Sequence, residues 1–71
     1  MTGETMEKIR KMRRGITIAM RNGNKADQLN FVLEILDKAE AAGFAGLTDC
    51  EMQNWLYTQT VLLENFHNVI F

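Results

Sequence analysis

The side chains able to do covalent or metal chemistry are few and far apart. His67 is the only histidine and Cys50 the only cysteine of the 71-residue chain. Both fall in one stretch of helical periodicity, which at ~1.5 Å per residue puts them ~25 Å apart. They cannot act as a nucleophile and its base within one chain. One histidine, one cysteine and scattered carboxylates make no zinc pattern either. The acids lie mostly a helical turn or more apart, without a general acid or base beside them, and read as a solvated face. No glycine-rich phosphate loop and no nucleophile elbow occurs. His67 reads as a core-edge residue with a satisfied hydrogen bond, and Cys50 as a small, partly buried helix residue. The expectation is a protein that is not an enzyme and takes no cofactor or metal.

The chemistry that remains is charge. The net charge is −1, but the signs are segregated along the chain. Lys8, Arg10, Lys11, Arg13, Arg14, Arg21 and Lys25 are balanced only by Glu4 and Glu7. Beyond them Lys38 is the sole base, against Asp27, Glu34, Asp37, Glu40, Asp49, Glu51 and Glu64. Such polarity bears on partners more than on fold. Three partners fit the basic segment: a nucleic-acid backbone, an acidic protein surface, or an anionic membrane, since Met and Ile lie opposite Lys and Arg. The simplest reading is a solvated face that pairs with acids of a neighbouring helix. The segment has no Phe, Tyr or Trp to stack on a base or anchor in a membrane, which puts an acidic protein partner ahead of nucleic acid. The predicted partner-binding residues are Lys8, Arg10, Lys11, Arg14 and Arg21, with Ile18 stranded among them.

The elements that must carry these residues are helices. A hydrophobic content of 46%, a charged content of 24% and the absence of proline fit a single globular domain over residues 1–71. Asp27 to Ala42 is the strongest segment. Leu29, Val32, Leu33, Leu36 and Ala39 share one side, and Phe31, Ile35 and Ala42 widen it to an arc of roughly 200°, so neighbours on two sides are expected. Ahead of it, Met6, Ile9, Met12, Ile16, Ala19 and Met20 recur at helical spacing, with the bases opposite and Arg13 at the border. Thr2 or Thr5 can cap this first helix. Gly15 costs about 1 kcal/mol in a helix interior, so the helix either runs through it, kinks at it or begins after it. Asn22-Gly23-Asn24 stops the first helix, with Gly23 left-handed and Asn24 free to cap the next.

Gly43 ends the second helix, and Phe44 and Leu47 are expected to dip back into the core. Thr48-Asp49-Cys50-Glu51 is a capping box opening a third helix. Met52, Trp55, Leu56, Leu62, Leu63, Phe66, Val69 and Ile70 form its apolar face, with Gln59 within it. The opposite face carries Asn54, Tyr57, Val61, Asn65 and Asn68 and little charge, unlike an ordinary solvated helix.

These readings predict an all-α domain of three helices near 4–22, 25–42 and 48–70. The second and third make the core and the first lies across them. A chain this small gains stability from a second copy, and a homodimer is expected through Tyr57, Val61, Val69, Ile70 and Phe71. A helix-turn-helix is set aside, because the helix that would read the groove starts with Asp49 and Glu51 and has no Lys or Arg. A lone cysteine and no signal peptide point to the cytoplasm, and no apolar run is long enough to span a membrane. The expected function is stoichiometric, non-catalytic protein–protein interaction of the inhibitor or adaptor kind. A small nucleic-acid-binding regulator using the same bases on phosphates is the alternative. In size, lack of a site and charge polarity the chain is similar to small phage-encoded inhibitors, anti-CRISPR proteins among them. That similarity is one of class, and no motif carries it.

Overall fold

The first and third helices of this chain start on threonine caps. In the computed structural model, which describes residues 1–71, α1 spans Gly3–Arg21, α2 Asp27–Ala41 and α3 Asp49–Phe66, with no strand. The Thr2 hydroxyl accepts the Thr5 N–H at 3.3 Å and the Thr48 hydroxyl accepts the Glu51 N–H at 3.1 Å. Each satisfies an N–H that the first helical turn leaves without a partner. Thr5 itself is buried, and its hydroxyl accepts from Gln53 Nε2 of α3 at 2.9 Å.

α1 and α2 end in the same way. Gly23 and Gly43 take left-handed φ of +93° and +64°. The Asn24 N–H then donates to the Ala19 carbonyl and the Gly23 N–H to that of Met20, while Phe44 and Gly43 repeat the pattern on Ala39 and Glu40. Both are Schellman caps, which satisfy carbonyls the last turn would otherwise orphan. Asn24 does not cap α2. Its Oδ1 accepts the Ala26 N–H at 3.1 Å, an Asx-type turn, and Ala26 is the N-cap without a side-chain bond.

α3 stops at Phe66, short of the end near residue 70 that periodicity predicts. His67 is its C-cap, and Asn68 takes φ +57°, a left-handed conformation that asparagine tolerates better than most residues. The chain reverses, the Val69 N–H donates to the Leu63 carbonyl at 3.1 Å, and Val69 drops into the core at 2% exposure. Asn24 Nδ2 holds this reversal by donating to the His67 carbonyl at 2.6 Å. Val69 therefore leaves the self-association surface predicted for it.

Phe71 leaves it too, because it turns back, half-buried, to pack against the core. A Cβ on Gly15 would lie 2.5 Å from Phe71 Cε1, so glycine keeps the seat of the ring open. α1 runs through Gly15 without a break.

The core joins Ile9, Met12 and Ile16 of α1, Leu29, Val32 and Leu36 of α2, and Met52, Leu56 and Leu63 of α3 with Val69. α1 is a full contributor, and its contact with α3 is the most extensive in the molecule. It is not a helix laid across a finished pair. The buried arc of α2 is narrower than its apolar sequence, for Phe31 is exposed. Phe44 tucks against the core as expected, whereas Leu47 stays exposed. The buried Gln59 accepts from Gln28 Nε2 at 2.9 Å, and no buried side-chain polar atom lacks a partner. No helix is long and apolar enough to cross a membrane.

Candidate functional site

The outward side of α1 is a row. Lys11, Arg14, Ile18 and Arg21 recur at helical spacing opposite the buried Ile9 and Ile16, and extend ~15 Å along the axis. The ion pairs of the molecule bypass this row. Lys8 meets Glu4 at 3.6 Å, Arg10 meets Glu7 at 2.8 Å, and Lys38 meets Glu34 at 2.9 Å. Arg13 reaches from α1 to both Asp37 and Glu40 of α2, each at 2.8 Å. Pairing with acids of a neighbouring helix is thus the work of Arg13. Lys11, Arg14 and Arg21 have no acidic partner within 4 Å. Ile18, in their midst, is 50% exposed.

Glu7 shows the field of this face. The hydrogen bond from Arg10 holds its carboxyl below the ordinary glutamate range, helped by the charges of Arg10 and Arg14. On α2, the Glu34 hydrogen bond and charge raise the Lys38 ammonium above its ordinary value. Arg10 and Lys8 are each compensated within their own helix, so of the predicted partner-binding residues these two are less free than Lys11, Arg14 and Arg21.

Beside the row, α1 and α3 enclose a cleft of about 200 Å³. The buried Met12 and Leu56 and the half-buried Phe71 form its apolar lining. Lys8 and Lys11 border it from α1, and Gln53, Tyr57 and Thr60 from α3; none of its lining residues is acidic. Lys8 is held in place, because its Nζ donates to Gln53 Oε1 at 3.0 Å while Gln53 Nε2 donates to the buried Thr5. A second groove of about 240 Å³ runs where the tail crosses α1, with Ile18 and Ile70 among its lining. Ile70 is 89% and Tyr57 72% exposed.

The predicted partner surface and the predicted self-association surface are thus not two places. Lys8 and Lys11 share one cleft with Tyr57 and Phe71, and Ile18 shares the next with Ile70. Val61, a turn beyond Tyr57, is exposed and lies outside both.

The sequence reading missed a third surface. Ile35, Leu47 and Trp55 line a mostly apolar groove of about 280 Å³ between α2 and α3. Two further aromatics, Phe31 and Phe66, are exposed, Phe66 at 76%. Phe31 sits ~140° round α2 from Leu36, a signal that it lies off the core. Phe66 follows the buried stripe by angle but is the last residue of α3, where the chain turns away.

Cys50 is exposed rather than partly buried, and Asn54 Nδ2 lies 3.7 Å from its sulfur. His67 is half-buried, and its backbone makes the bonds: its N–H donates to the Leu63 carbonyl and its carbonyl accepts from Asn24. No three His, Cys, Asp or Glu residues gather where they could hold a metal. Comparison of the chain with protein-family models, curated proteins and solved structures gives no match.

Proposed function

We propose that this chain is a non-catalytic interaction module that binds an acidic surface of another protein stoichiometrically, as an inhibitor or adaptor does. The observation that carries the reading is the row of α1: Lys11, Arg14 and Arg21 without acidic partners, around the exposed Ile18. Unpaired cations steer and orient an encounter with an acidic surface. An apolar centre among them supplies what charge at a wet surface does not, because exposed ion pairs contribute little affinity. Changing Arg14 and Arg21 together to Glu should abolish capture of the partner from a lysate of the host while far-UV circular dichroism stays that of the parent. Unchanged capture removes the reading.

The same row also fits phosphates, so a nucleic-acid-binding regulator is the second reading, and salt separates the two. Phosphate contacts release counterions and weaken steeply as salt rises. An interface with an apolar centre loses less, and it survives nuclease treatment of the lysate.

A homodimer belongs to this proposal, now through Tyr57, Val61 and Ile70 alone. Because Tyr57 and Ile70 border the same clefts as Lys8, Lys11 and Ile18, self-association competes with partner binding there. Sedimentation that stays monomeric at high concentration rejects it. The free Cys50 accords with a reducing compartment such as the cytoplasm. The likeness to small phage-encoded inhibitors such as anti-CRISPR proteins remains an analogy of class.

A further inference from the structure

We infer that the cleft between α1 and α3 receives one aromatic or large aliphatic side chain from an acidic peptide segment of the partner, whose flanking carboxylates meet Lys8 and Lys11. The inference rests on the acidic protein partner proposed above and says where its anchor goes.

Size is the first argument. At about 200 Å³ the cleft is large enough for one inserted side chain. It falls below the roughly 300–1,000 Å³ of pockets that enclose drug-sized ligands. Chemistry is the second. Met12, Leu56 and the Phe71 ring offer an apolar surface, while two ammonium groups border it with no carboxylate in the lining. Lys8 already lies 3.6 Å from Glu4, so an apolar ligand would leave chiefly the Lys11 charge unused, and a bare anion would leave the floor wet. A segment with an apolar side chain between acids meets both.

Preorganisation is the third. Lys8 is fixed by Gln53, which is fixed in turn by the buried Thr5. Less side-chain freedom is lost on binding when the cation is already placed. Lys11 belongs both to the cleft and to the charged row of α1, so an anchored segment would continue along Arg14, Ile18 and Arg21. A buried central anchor with a charged rim is the usual division of labour in a protein interface.

The test is an NMR titration of the full chain with three short peptides. The first is acetyl-Asp-Glu-Phe-Glu-Asp-amide, the second carries Ala in place of Phe, and the third carries Lys in place of every acid. The first should shift the Met12 methyl and Tyr57 ring signals saturably. The second should bind about tenfold more weakly, as loss of one buried aromatic side chain implies, and the third should not bind.

Thr60→Phe fills the cleft without touching a charge and should erase the preference for Phe over Ala. Lys11→Glu, at an exposed position, should weaken the first peptide more than Arg21→Glu does; the reverse order overturns the inference. Equal binding of the Phe and Ala peptides, with shifts at Lys11 and Arg14 only, rejects the cleft and keeps the charged row. Shifts confined to Trp55 and Ile35 reject the cleft in favour of the α2–α3 groove. No shift from either acidic peptide rejects both the cleft and the acidic-partner reading. Saturation of the cleft by an oligothymidylate at lower concentration than the first peptide gives the site to nucleic acid instead.

Discussion

Gly15→Ala should be nearly neutral in the intact chain and stabilising once Phe71 is gone. In a helix interior alanine is favoured over glycine by about 1 kcal/mol, and α1 is continuous at this position. The new methyl would fall 2.5 Å from Phe71 Cε1, so the ring must leave its seat. Burying a whole phenylalanine side chain contributes about 1.5–3 kcal/mol, and the half-buried Phe71 correspondingly about 1 kcal/mol. The two terms cancel in the parent to within ~0.5 kcal/mol, well inside the range of most single substitutions. In a Phe71→Ala background the helical gain stands alone. The double-mutant cycle therefore carries a coupling of about 1 kcal/mol. Urea unfolding followed by circular dichroism reads it. With a slope of ~1 kcal/mol/M, Gly15→Ala should raise the midpoint by ~1 M in the Phe71→Ala chain and hardly at all in the parent. Equal shifts in both backgrounds would refute the seating of Phe71 on Gly15. A fall in both would mean that α1 needs glycine for its own geometry.

Arg13→Ala removes the bridge from α1 to Asp37 and Glu40 and should cost about 1 kcal/mol, a loss that shrinks in high salt; urea curves at two salt concentrations measure it. Thr5→Val keeps the shape of a buried side chain but deletes the hydroxyl that Gln53 donates to. It should cost about 1 kcal/mol and broaden the Lys8 side-chain signals as Gln53 loses its hold. Glu7 titrates below the ordinary glutamate range because of Arg10 first and Arg14 last; Arg10→Ala should return its NMR midpoint most of the way, and Arg14→Ala less. A lowered carboxyl pKa contributes stability above the ordinary glutamate range that is lost as pH falls through the lowered value. The raised Lys38 acts at the other end, contributing below the ordinary lysine range and losing that contribution as pH rises through the raised value.

Three helices could be read from the chain because most of their ends carry a local signal, although the start of α2 has no side-chain cap and the stop of α3 falls short of the expected end. Thr48, Gly23 and Gly43 act within a turn of their own position and do what their residue types imply, although of the capping box only the Thr48 half forms: its hydroxyl accepts the Glu51 N–H. Features that depend on residues far along the chain could not be read that way. Gly15 looks like a weak point in α1 until Phe71 is seen above it. Asn68 looks like one more face residue, and the apolar period runs on past it through Val69 and Ile70. Its left-handed backbone nonetheless ends the helix and sends Val69 inward. Phe31 and Leu36 both count as apolar in the sequence, but only the α2 residues near the centre of the arc meet two neighbours. The candidate site divides in the same way. The charged row of α1 follows from spacing alone, whereas the cleft needs the register of α1 on α3, which brings Lys8 to Gln53.

The return of the tail has a kinetic side. The broadest interface joins the first helix to the third, and residues 67 and 71 reach back to Asn24 and Gly15. A bundle that zipped only neighbouring helices would assemble through short loops. This chain must bring residues from opposite ends of its length together before its best contacts form, and that loss of entropy precedes the gain. Refolding should be slower than helix content alone suggests. During that interval Ile9, Met12 and Ile16 stay open to solvent, and to any other chain with an apolar face.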